Sequence, residues 1–119
     1  MSGTVAVRLA GGRVLEVPEP GWCTGVHEDG RALEDVLHEG PEMHLEVVTR
    51  FGPQRVLTAS VTQYPFASIP ARRAPVGSVD LGGAWFELDA AGLVRLADGL
   101  AGYAGRLREL AAVLPAGAG

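Results

Sequence analysis

The chain has 119 residues, with 14 acidic and ten basic side chains and a formal net charge of −4 at pH 7. Its length suits one domain with a core of moderate size, and its single cysteine excludes an internal disulfide. Nine of the acidic residues lie between positions 16 and 46, and this concentration of negative charge disfavours nucleic acid as a partner. Because no apolar run approaches the roughly 20 residues that span a bilayer and no signal-peptide pattern opens the chain, we expect a cytoplasmic protein without membrane contact.

The first 17 residues are predicted to form a β-hairpin. Apolar side chains alternate from position 4 to 10, the pattern resumes from 13 to 17, and Gly11-Gly12 between them is typical of a two-residue turn with positive φ. Pro18-Glu19-Pro20-Gly21 then ends the strand. From there to Gly40 no period is visible, apart from one short helical turn near residues 33–37.

Alternation returns in the middle of the chain. It predicts strands over 42–51 and 54–64, turned at Gly52-Pro53, and further strand structure over 76–81 and 84–88. The last two segments form either two strands joined near Gly82-Gly83 or one bulged strand. In the first of these strands the residues expected to share one face are Met43, Leu45, Val47 and Thr49.

The clearest periodic signal predicts a helix over residues 89–114, with Asp89 as its N-cap. Its leucines and one tyrosine recur at spacings of three and four, so they form one apolar stripe. Gly99, Gly102 and Gly105 each weaken the helix by roughly 1 kcal/mol, so it needs a partner surface. That surface is either the sheet of the same chain or the helix of a second copy, which would give a homodimer.

Together these segments predict an α+β fold: a single domain over 1–119, with a mainly antiparallel β-sheet of five or six strands and one long C-terminal helix packed on it. Residues 18–41 would form a metal-binding-like loop. The inward-facing side chains are predicted to include Val5, Val7, Leu45, Val47, Val61, Leu93, Leu96, Leu100 and Leu107.

All three histidines and the only cysteine fall within positions 23–44. Thiolate and imidazole are the natural ligands of zinc, and the spacing of Cys23 and His27 lets one turn supply both, with His38 returning through the loop. Glu19 or His44 is the candidate for the fourth position, and Glu28, Asp29 and water remain open. Four protein ligands would make the site a structural zinc site. The competing interpretation is that Cys23 is a small buried apolar residue and the histidines are exposed.

The run from Glu19 to His27, Glu-Pro-Gly-Trp-Cys-Thr-Gly-Val-His, and His-Glu-Gly-Pro at 38–41 resemble a family motif. It is similar to small actinobacterial proteins of unknown function that carry Cys-Pro-x-Trp-Cys-x-x-x-His and then His-x-Gly-Pro. The resemblance extends over about residues 18–114. It implies a zinc-finger-like ligand set at positions 19, 23, 27 and 38, from which this chain departs because Glu19 stands where the motif has cysteine. It implies no activity.

The chemistry of the sequence favours a non-enzymatic module that binds another protein. We call it zinc-stapled, because a structural zinc ion would hold the loop of residues 18–41 in place. A metal-dependent hydrolase is the first alternative, but the sequence contains no His-Glu-x-x-His helix and no Gly-x-Ser-x-Gly nucleophile motif. A nucleic-acid-associated regulator is the second, and the acidic charge disfavours it.

Overall fold

The computed structural model describes residues 3–117, which form seven strands, two short 3-10 turns and one α-helix. The contacts divide the chain into two compact units, Met1–Leu88 with the strands and Asp89–Gly119 with the helix. Antiparallel strands followed by a separate helix make an α+β fold, and the predicted fold class is confirmed. A single domain in which the helix packs on the sheet stays a prediction.

The first unit begins with the predicted hairpin. Strand β1 (Gly3–Arg8) pairs antiparallel with β2 (Val14–Glu19). Gly11 and Gly12 both have positive φ, at 86° and 87°, as the sequence predicted. The amide of Leu9 donates to the carbonyl of Arg13 at 2.7 Å, so the loop contains three residues rather than the predicted two.

A second, five-stranded antiparallel sheet follows, and the larger sheet therefore has a strand count within the predicted range. Its longest strand pairs on one side with two short strands that precede it and on the other side with the hairpin that follows it. The strands are β3 (His38–Glu39), β4 (Met43–Thr49), β5 (Gly52–Gln63), β6 (Val76–Leu81) and β7 (Ala84–Leu88). A two-glycine turn joins β6 to β7, so the 76–88 segment forms two strands rather than one bulged strand.

The pairing of β4 with β5 shifts register between Leu45 and Glu46, because Val56 of β5 is an extra residue without a partner on β4. Leu45 pairs with Leu57, whereas Val47 pairs with Gln54, three residues away along β5. Since this extra residue lies on β5, alternation along β4 is unbroken, and Leu45 and Val47 lie on the same face of the sheet, as predicted. The prediction that they face inward is wrong, because the two residues are 52% and 44% exposed.

A cluster of buried apolar residues in the first unit includes residues of both strands of the β1–β2 hairpin. Val7, Leu9, Val17 and Val36 form one cluster, with Val5 packed partly buried against it. The inward prediction is confirmed for Val7, whereas Val61 is 38% exposed. Two of the buried valines stand two residues before candidate ligands, Val17 before Glu19 and Val36 before His38. The core therefore anchors both segments that lead into the candidate site.

The second unit is helix α1 (Ala90–Val113) with its flanking residues. Asp89 is its N-cap, because the Asp89 carboxylate accepts a hydrogen bond of 2.8 Å from the amide of Gly92. The predicted start and length of the helix are confirmed. Within residues 3–117, no helix combines the length and the apolar character that crossing a membrane requires.

Candidate metal centre

Four of the five candidate ligands meet at one point of the first unit. Glu19 at the end of β2, Cys23 and His27 on the following loop, and His38 at the start of β3 each offer one donor atom, and these atoms all lie within 4.8 Å of one another. His44 is not part of this group, since it lies on β4 with its Nδ1 3.1 Å from the hydroxyl of Thr58. A Glu-Cys-His-His cluster of this kind can hold a metal ion.

Backbone hydrogen bonds shape the loop that carries two of these ligands. The amide of Cys23 donates to the carbonyl of Pro20 at 3.0 Å, which closes a tight turn directly after Glu19. The amide of Thr24 donates to the carbonyl of Glu39 at 2.9 Å and ties the loop to β3. The turn and this tie bring Cys23 back towards the strand that begins with His38.

The close contact between this loop and the sheet depends on Gly40, which is buried beside the loop. A Cβ atom at this position would lie 3.2 Å from the carbonyl oxygen of Trp22 and 3.6 Å from that of Val61. Any larger residue would push the loop away from β5. In the sequence, Gly40 stands out only as part of the His-Glu-Gly-Pro run at 38–41. Its place next to the Trp-Cys segment becomes visible only when the loop folds back.

The distances between the donor atoms are similar to the distances between the ligand atoms of one metal ion. Nε2 of His27 lies 2.9 and 3.1 Å from the two carboxylate oxygens of Glu19 and 3.8 Å from Sγ of Cys23. Zinc bonds of about 2.0–2.3 Å at tetrahedral angles place neighbouring ligand atoms about 3.3–3.6 Å apart. The spacing therefore fits a metal centre.

His38 provides the second observation. Its side chain is almost fully buried, with 1% of the residue exposed. Nδ1 of His38 lies 2.8 Å from Oε1 of Glu19, but the oxygen is not in the direction of a hydrogen bond, and Nδ1 has no hydrogen-bond partner. A buried polar atom without a partner costs about 1–3 kcal/mol. A metal ion among the four donors would accept the lone pair of this nitrogen and remove that cost.

The ionisation of the cluster is consistent with a cation site. Burial raises the pKa of the Cys23 thiol, and its hydrogen bond with Glu19 adds to the effect. Burial also opposes the charged form of Glu19, but hydrogen bonds with Cys23 and His27 outweigh it, so the pKa of Glu19 is lowered. Glu19 is therefore a carboxylate ready to bind a cation, and a metal would displace the proton of the thiol.

The chain belongs to a family described as a domain of unknown function (DUF6907), whose model matches residues 4–116. No curated protein and no solved structure matches the chain. The predicted membership of a family of unknown function is confirmed. The actinobacterial origin and the motif of the expected resemblance stay predictions.

Proposed function

We propose that this member of a family of unknown function is a zinc-stapled module that acts by binding another protein and has no catalytic activity. Glu19, Cys23, His27 and His38 bind one structural zinc ion. The zinc fixes the loop between β2 and β3, and the folded unit presents a surface for a protein partner.

The buried Nδ1 of His38 carries the zinc proposal. It has no hydrogen-bond partner and lies 2.8 Å from a carboxylate oxygen of Glu19. His38 also belongs to a cluster in which one donor atom each from Glu19, Cys23, His27 and His38 lie within 4.8 Å of one another. Among biological metals, zinc is the one most often bound by a tetrahedral set of sulfur, nitrogen and carboxylate oxygen. A cluster of ordinary hydrogen-bonding side chains would give this nitrogen a partner.

A structural role follows from the number of donors. Four protein ligands complete the tetrahedral shell of zinc, whereas catalytic sites keep one position for water. Apolar packing does not hold this loop, because residues 21–30 form no strand and include no buried apolar residue. Zinc would hold this segment where apolar burial does not.

Elemental analysis of protein purified with a tag that binds no metal tests the zinc staple. We expect close to one zinc per chain, and a lower melting temperature after a chelator. Cys23→Ser should lose most of the zinc, whereas His44→Ala, which removes a histidine outside the cluster, should keep it. A zinc content near zero, with unchanged melting in chelator, would refute the proposal.

A further inference from the structure

Strand β7 (Ala84–Leu88) lies at the edge of the five-stranded sheet, and its only neighbour in the described sheet is β6. Gly82-Gly83 is a two-residue turn, so the flanking pair Leu81–Ala84 exchanges both backbone hydrogen bonds. From this pair onward along the hairpin, residue pairs that exchange backbone hydrogen bonds alternate with pairs that do not. The backbone N–H and C=O groups of Trp85 and Glu87 therefore point outward, away from β6.

The outward edge has little of the usual protection against an added strand. Trp85 and Phe86 are 62% and 48% exposed, and the strand contains no proline, lysine or bulge. Among residues 3–117, the backbone hydrogen bonds outside the sheet ladders include none from Ala84–Leu88. An extended segment can therefore pair with Trp85 and Glu87.

The side chains of these same two residues lie on one face of the sheet, beside a groove of about 370 Å³. Besides Trp85, the groove is lined by the carboxylates Glu39, Glu42 and Glu87, and no arginine lines it. Within the described chain, Glu39 and Glu42 take part in no ion pair. Glu87 lies 3.7 Å from the guanidinium of Arg72, but both side chains are more than half exposed, so this ion pair is weak. The groove is negatively charged and has an aromatic wall.

We infer that β7 binds an extended, basic segment of a partner protein by strand addition. The segment hydrogen-bonds to the outward groups of Trp85 and Glu87, and its alternate side chains enter the groove. Arginine or lysine at these positions pairs with the carboxylates and lies against the ring of Trp85. A second copy of this chain fits less well, because it would bring another acidic surface to the groove. The inference rests on the proposed function in one respect only, that the domain binds protein.

Fluorescence anisotropy of the zinc-loaded full chain tests this with a labelled Arg-Val-Arg-Val-Arg-Val-Arg peptide and its Glu-for-Arg counterpart. We expect binding of the basic peptide only. Glu87→Pro removes an outward N–H without removing a bond to β6, and should weaken binding roughly tenfold relative to Glu87→Ala, which keeps that N–H. Glu42→Gln should weaken binding about threefold to fivefold through charge alone.

Amide hydrogen exchange provides a readout that needs no variant. The basic peptide should slow exchange at Trp85 and Glu87, while Phe86, whose amide already bonds to β6, should change little. Equal binding of both peptides, no added protection at Trp85 and Glu87, or equal affinities of Glu87→Pro and Glu87→Ala would overturn the inference. A dimer that Glu87→Pro dissociates would assign the edge to a second copy and overturn it too. The zinc content is measured on the same samples, so a zinc-loaded wild type that does not bind the basic peptide contradicts strand addition and leaves the zinc staple standing.

Discussion

Replacing His38 by leucine should have different effects on stability with and without zinc. Leucine has nearly the volume of histidine, and the site is almost fully buried, with 1% of the residue exposed. The substitution removes one metal donor. It also removes a buried nitrogen that has no hydrogen-bond partner in the protein.

The two effects have different magnitudes. In chelator, loss of the unpartnered nitrogen stabilises by about 1–3 kcal/mol, and imperfect packing of leucine costs up to about 1.5 kcal/mol. The net change should lie between about 0.5 kcal/mol of destabilisation and about 3 kcal/mol of stabilisation. With free zinc about 1,000-fold above its dissociation constant, the wild type gains about 4 kcal/mol that the variant lacks. His38→Leu should therefore be destabilised by about 1–4.5 kcal/mol when zinc is present.

Urea unfolding of both proteins, in buffered zinc and in chelator, measures these differences. Val36→Ala is the matched control, because Val36 is 2% exposed, stands two residues earlier and offers no donor. It should cost about 2 kcal/mol in both conditions. If His38→Leu also costs the same in zinc and in chelator, His38 is only a packed side chain and the reasoning fails.

Three further substitutions test other parts of the account. Glu19→Cys should hold zinc more tightly against a competing chelator, because a thiolate replaces a carboxylate. Glu16→Cys on the exposed part of β2 should not change the zinc affinity, and an equal gain in affinity for both variants would show that Glu19 does not bind the zinc. Gly40→Ala should lower the free energy of unfolding by about 1–2 kcal/mol, because its Cβ would meet a backbone oxygen at 3.2 Å. Gly99→Ala on α1, where the added Cβ has open space, should raise the free energy of unfolding by up to about 1 kcal/mol. Leu100→Arg should lower the melting temperature of a chain that light scattering finds monomeric, and a folded monomer formed from a dimer would instead show that the stripe is a self-association surface.

The candidate ligands could be identified from the sequence because so few residues can bind a transition metal. One cysteine and three histidines left little choice, and Glu19 entered through its spacing from Cys23. The sequence could not decide between Glu19 and His44 for the fourth position. That choice depends on where β4 pairs, and the pairing turns His44 towards Thr58.

The strands were predicted better than their register. Alternation locates β4 and β5, but it contains no information on the extra residue Val56 of β5, which depends on how the two strands fit each other. Similarly, the alternation of 84–88 predicts a strand without showing that it lies at an edge. Strand order is set by long-range packing, so the outward groups of Trp85 and Glu87 could be identified only from the sheet.

The most direct test of the zinc staple is X-ray absorption at the zinc edge of the purified full chain. The account predicts one sulfur at about 2.3 Å and three nitrogen or oxygen ligands at about 2.0–2.2 Å, with the sulfur lost in Cys23→Ser. A zinc shell without sulfur, or a spectrum that Cys23→Ser leaves unchanged, would contradict it.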